Sequence, residues 1–132
     1  MDSLLIQIRE ELKQHADPEL REKSQRFFKE GVLCYGMKAK IANGIAKKYR
    51  KEVKGRPKPE IYALCEELFK SGYIEESVIA SGWTYALSGR YDRDDIFLLR
   101  YWIDTYITNW AACDTFCNHT VGDFIEQYPE CI

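Results

Sequence analysis

The chain has 132 residues, of which 45% are hydrophobic, 14% aromatic and 30% charged, and its formal net charge is -2. That length suits one domain, able to bury roughly two-thirds of its unfolded surface without disulfide or metal staples, and the composition excludes disorder and low complexity. Mean hydropathy is -0.44, and no apolar run nears the roughly 20 residues of a membrane span, so a soluble, cytoplasmic, mostly helical domain is expected.

Leu4, Leu5, Ile8 and Leu12 fall on one stripe of an amphipathic helix over 3–15. The acids and helical period at its start are not those of a signal peptide. Asp17 caps and Pro18 opens a second helix, which runs to about Glu30 and buries Leu20, Phe27 and Phe28. Gly31 and Gly36 bracket an apolar linker, Val32-Leu33-Cys34-Tyr35. A third helix, from about Lys38 to Val53, repeats Met37, Ile41, Ile45 and Tyr49 at steps of four and turns lysine and arginine to the other side. The run Gly55-Arg56-Pro57-Lys58-Pro59 breaks the chain, and Pro59 opens a fourth helix with Ile61, Leu64, Cys65, Leu68 and Phe69 inward and Gly72 as its stop. A fifth helix, from about Ile74 to Leu87, places Val78, Ile79, Ala86 and Leu87 in the core and ends at Gly89. Asp92 is read as the cap of a sixth, with Ile96, Leu99, Trp102, Ile103 and Tyr106 inward. Asn109 is read as the cap of a seventh, with Trp110, Cys113, Cys117, Val121 and Phe124, stopped by Pro129.

No segment sustains period-two alternation. The expected fold is therefore all-α: about seven helices in antiparallel pairs, stacked as one HEAT-like α-α superhelix over residues 1–132, with a compact helical bundle as the competing architecture. No polar capping helix follows Pro129, so the array is expected to be interrupted there. Its open apolar end would favour self-association or another partner.

Five cysteines, Cys34, Cys65, Cys113, Cys117 and Cys131, form an odd set with no framework spacing, which points to reduced thiols. Cys113 and Cys117 share a helix face, but His119 lies roughly 200° round from Cys117 at about 100° per residue. The three cannot converge on one ion in a regular helix, and neither a metal nor another cofactor is expected.

Charge is segregated. Between Lys38 and Lys58 stand nine basic residues and one acid, Glu52, giving +8; the remainder has ten basic and twenty acidic residues, giving -10. One positive patch on an acidic body suits a polyanion such as nucleic-acid phosphates, although charge alone fits an ordinary basic helix end equally well. Trp110 and Asp114 are four apart and share a helix face. Taken alone, Trp110 reads as core, and a structural role is the commoner use of a carboxylate such as Asp114.

An ordered set of landmarks extends beyond single residues. It comprises Gly31-Val32, Cys34-Tyr35-Gly36-Met37-Lys38, then Ile61 and Leu64-Cys65-Glu66-Glu67-Leu68-Phe69, then Gly72-Tyr73, Glu75-Glu76, Ala80 and Trp83. It ends with Asn109-Trp110, Cys113-Asp114, Cys117, His119 and Val121-Gly122. In this the chain resembles the DNA alkylation repair family, HEAT-like glycosylases that remove alkylated purines. The resemblance implies a catalytic carboxylate at Asp114, a cleft tryptophan at Trp110, and a concave superhelix that grips duplex DNA by its phosphates without a pocket for the flipped base. Phosphate contacts are then expected from Lys38, Lys40, Asn43, Lys47, Lys48 and Lys51.

The chemistry suits this set. An N3- or N7-alkylated purine is cationic and leaves without a general acid, whereas sugar hydrolases need two carboxylates. One carboxylate can stabilise the developing positive sugar and orient a water, and an indole face favours the same cation.

Three features depart from the family pattern. Lys38-Ala39-Lys40-Ile41-Ala42-Asn43 lacks the usual Thr-Pro pair and places Asn43 where an arginine is expected, and Phe27 stands where some members have tyrosine. Members are also longer, with further helix pairs beyond the position of Pro129. Two other functions remain open on this reading: a DNA-binding module without chemistry, and a helical scaffold for a protein partner.

Overall fold

Proline, glycine and aspartate mark several helix ends in the computed structural model, which describes residues 3–27, 33–106 and 120–131. Among these residues the helices are α1 (Ser3–Gln14), α2 (Pro18–Phe27), α3 (Ala39–Val53), α4 (Lys58–Lys70), α5 (Ile74–Tyr85), α6 (Asp95–Thr105) and α7 (Gly122–Gln127). The fold is all-α, and the one β feature among the described residues is an isolated parallel bridge between Leu33 and Tyr73. Only the last part of the expected seventh helix is described, as α7. Asn109, Trp110, Cys113, Asp114, Cys117 and His119 lie outside the described residues, as do Phe28, Gly31 and Val32.

The caps mostly follow the local chemistry. The Asp17 carboxylate accepts the Glu19 N–H at 2.9 Å, satisfying a donor that the helix start leaves open. Gly72 ends α4 at φ +79°, a conformation that costs glycine nothing. Asp92 does not cap α6. That helix begins at Asp95, and the Asp92 carboxylate instead accepts from Lys58 Nζ at 2.7 Å, a bond between two ionised groups. The fifth helix stops at Tyr85, and Ala86, expected in the core, is exposed while Leu87 is buried.

Helix α5 lies at the centre. Ser71-Gly72-Tyr73 turns α4 back on it as an antiparallel hairpin, α3 packs on α5 as well, and α1 packs on α3. The expected stripes Leu4, Leu5, Ile8 and Leu12 on α1, and Ile61, Leu64, Cys65, Leu68 and Phe69 on α4, are all buried. Ile45 and Tyr49 are buried on α3, while Met37 and Ile41 are half-buried. Trp83 locks α5 to α3 by donating its indole N–H to the Ala46 carbonyl at 3.0 Å. On α6, Trp102 is buried against Tyr62 and Phe69, with ring centroids 5.6 and 5.3 Å away.

The linker ahead of α3 is tied down from both sides. Leu33 O accepts the Ile74 N–H at 3.0 Å, and Gly36 O accepts the Asp17 N–H at 2.6 Å. Tyr35 stacks on Tyr73 at 4.3 Å. The Glu75 carboxylate accepts the N–H groups of Tyr35 and Gly36 at 3.0 and 3.2 Å. Glu76 accepts the Tyr35 hydroxyl at 2.6 Å and Arg9 Nε at 3.1 Å. Gly36 adopts φ +91°, and a Cβ there would lie 2.5 Å from the Asp17 carbonyl oxygen.

One further contact joins α1 to α3. Glu11 Oε1 accepts Lys48 Nζ at 2.6 Å and the Tyr49 hydroxyl at 3.1 Å. The bond from Lys48 holds the Glu11 carboxyl below its ordinary range, against a smaller opposing effect of burial.

Gly36→Ala is expected to destabilise the fold by about 3 kcal/mol or more, combining left-handed strain with a backbone clash; urea denaturation measures this. Because the folded state lowers the Glu11 pKa, its contribution is present above the ordinary carboxylate pKa of about 4.3 and is lost as pH falls through the folded value. Glu11→Gln should therefore lower Tm at neutral pH, and the difference from wild type should vanish at acid pH in thermal scans.

Candidate nucleic-acid interface

The basic residues of the Lys38–Lys58 segment do not share one fate. Helix α3 buries Ala42, Ile45, Ala46, Tyr49 and Val53. At about 100° per residue, Lys40, Lys47 and Lys51 fall within roughly 40° of one another on the opposite side. All three are exposed and form no ion pair among the described residues. Lys54, just past the helix, continues this row, and Lys38 and Asn43 are exposed near its start.

Two lysines are drawn away. Lys48 sits roughly 80° round from Lys40 and is held by Glu11. Lys58 leaves the surface almost entirely: its side chain is 15% exposed, and Nζ donates to Asp92, to Asp95 at 2.9 Å and to the Arg90 carbonyl at 3.0 Å. The same Asp95 oxygen accepts the Tyr62 hydroxyl at 3.0 Å. Burial, then the Asp95 charge, pushes that phenol well above its ordinary range.

This ion cluster has a second effect. With Lys58 bonded to the Arg90 carbonyl, the Arg90 guanidinium reaches the Arg56 carbonyl at 3.2 Å. Arg90 is thereby added to the basic end of α3, from 34 residues further along the chain. No local signal foretells it, since the pairing depends on how two connections dock. Beside α3, the central helix α5 leaves only a strip of Ile74, Val78, Gly82 and Tyr85 uncovered or partly covered.

The sequence-expected catalytic pair, Trp110 and Asp114, lies outside the described residues, but the chain that follows it is anchored. Thr120 is fully buried. Its hydroxyl lies 2.8 Å from that of Thr84, and the two reach the Ser81 carbonyl at 3.2 and 2.9 Å. Tyr91 completes the cluster by donating to the Thr84 carbonyl at 2.7 Å. The anchoring helix is α5, the one on which the lysine-bearing α3 packs.

Among the described residues no cluster of His, Cys, Asp or Glu is arranged to hold a metal ion. Cys34 and Cys65 are buried thiols without a disulfide, and burial raises the pKa of both. No helix among the described residues is long and apolar enough to cross a membrane.

Comparison with known proteins adds one finding. A family model described as DNA alkylation repair enzyme matches residues 8–132. No characterised protein and no solved structure matches the chain. Since that family model spans all but the first seven residues, the protein belongs to the DNA alkylation repair enzyme family.

Proposed function

We propose that this protein is a DNA glycosylase that hydrolyses the N-glycosidic bond of cationic N3- or N7-alkylated purines in duplex DNA. The reading takes residues 1–132 as one domain of stacked HEAT-like helix pairs. The observation that carries it is the row of Lys40, Lys47 and Lys51, turned to solvent on the helix that packs against α5, in a chain of this family. Such a row tracks a phosphate backbone and carries no base code. Lys38 and Asn43 extend it at the start of α3, where the first-turn N–H groups favour an anion.

The catalytic group in this reading is Asp114, with Trp110 beside it. Asp114 stands six residues before Thr120, which is anchored on α5, and six residues of chain span at most roughly 20 Å. An alkylated purine departs as a neutral base, so no proton donor is needed. Asp114 then stabilises the positive charge that grows on the sugar and orients the attacking water. The Trp110 ring adds a face that favours the same cation. No base-binding pocket takes part, which accords with recognition through the charge and weakened bond of the lesion itself.

The assay is release of 7-methylguanine or 3-methyladenine from methylated duplex DNA. Asp114→Asn is expected to lower the release rate roughly 100-fold or more, the scale on which a single electrostatic group acts. Wild-type protein that binds the duplex but releases no base, even at high concentration, would instead be a DNA-binding module without chemistry.

Binding has its own test. Each lysine–phosphate contact contributes about 0.9 to the slope of log affinity against log salt. The triple variant Lys40→Glu, Lys47→Glu, Lys51→Glu is expected to remove about 3 from that slope, measured by fluorescence anisotropy. Lys48→Ala should leave the slope nearly unchanged, because that lysine is held by Glu11.

A further inference from the structure

Glu75 and Glu76 are the buried acids of the described residues, 5% and 1% exposed. Placing two adjacent carboxylates out of water is costly unless their oxygens are hydrogen-bonded. Glu76 is answered by Arg9 and the Tyr35 hydroxyl, an ion pair that joins α1 to α5. Glu75 is answered differently: it forms no ion pair among the described residues, and its two oxygens take the main-chain N–H groups of Tyr35 and Gly36. A carboxylate on main-chain amides fixes the path of the chain itself. That path reaches Lys38 two residues later, and α3 begins at Ala39. Lys38 makes no side-chain cap bond, so the helix start is located by this tertiary clamp and by the bond from Asp17 to Gly36 O.

We propose that Glu75 is a positioning residue for DNA-backbone contact. By holding the Tyr35 and Gly36 amides, it fixes where Lys38, Lys40 and the first turn of α3 are presented to a duplex phosphate. The inference rests on the DNA-binding reading above and adds to it a residue that touches no DNA. Lys47 and Lys51, further along a helix packed on α5 by its own core, are outside its reach.

The test uses the full chain and a short labelled duplex, with salt varied between about 50 and 200 mM. Glu75→Gln keeps the size of the side chain but presents an amide group to one of the two N–H donors. The expected result is a folded protein whose salt slope is shallower by about 1 and whose affinity at 0.1 M salt falls roughly eight-fold, the loss of one phosphate contact. In the base-release assay the half-saturating concentration should rise while the saturating rate stays near wild type. Leu99→Ala, a cavity in α6 away from the linker, should lower Tm and keep the wild-type slope. The proposal is overturned if folded Glu75→Gln keeps wild-type slope and affinity, or if Leu99→Ala changes the slope equally. Should Glu75→Gln not fold, the wild-type amides of Ala39 and Lys40 decide by NMR: they shift on adding duplex if the proposal holds and stay put if it is wrong. Absence of salt-sensitive binding by the wild type sinks the DNA-binding reading along with it, whereas wild-type binding with an unaffected Glu75→Gln sinks the positioning role alone.

Discussion

A pair of buried carboxylates at the start of α5 joins parts of the chain that lie far apart in sequence. Glu76 reaches back 67 residues to Arg9, and Glu75 reaches back 40 residues to the Tyr35 amide. Hydrogen bonds to a charged group contribute about 1.5–3 kcal/mol each when formed, and an unanswered buried charge costs more than that. The arrangement is therefore all or nothing: α1, the linker and α5 come together in one geometry, or the acids return to water. Gly36 follows from the same constraint. Its carbonyl must meet Asp17 while its amide meets Glu75, and the left-handed backbone that allows both leaves no room for a side chain.

That geometry decides where α3 begins and which side it turns outward. The consequence for function is electrostatic. Lys48 and Lys58 belong to the basic segment by sequence but are paired with acids, Lys48 at the surface with Glu11 and Lys58, mostly covered, with Asp92 and Asp95. Lys40, Lys47 and Lys51, exposed and without an ion pair among the described residues, form a narrow row on α3. A polyanion meeting such a surface is attracted along one line and repelled elsewhere, which orients it as well as binding it.

Much of the helical plan was legible in the residues. The stripes on α1 and α4 are plain in the sequence because both helices bury one side and expose the other, and Asp17, Pro18 and Gly72 mark ends by local chemistry. Helix α5 is less legible. It is covered on most sides and buries Glu75, Glu76, Ser77, Ser81 and Thr84 along with its apolar residues, so its sequence carries no clean amphipathic period. Asp92 looked like a cap because aspartate before an apolar helix usually is one; a lysine 34 residues earlier claimed it. The basic segment stood out from composition, but composition could not separate Lys40 from Lys58.

What the amino-acid order determined by itself is what depends on neighbours along the chain: the all-α class, most helix boundaries, the inward stripes and the set of landmarks that marks the family. What only the tertiary structure decided is which charges stay in water. Burial of Glu75 and Glu76, covering of Lys58 by Asp92 and Asp95, and the bond from Arg90 to the Arg56 carbonyl just past α3 each require a partner many residues away. The free energy of a charge is set by its surroundings in space, and no period or spacing along the sequence encodes those.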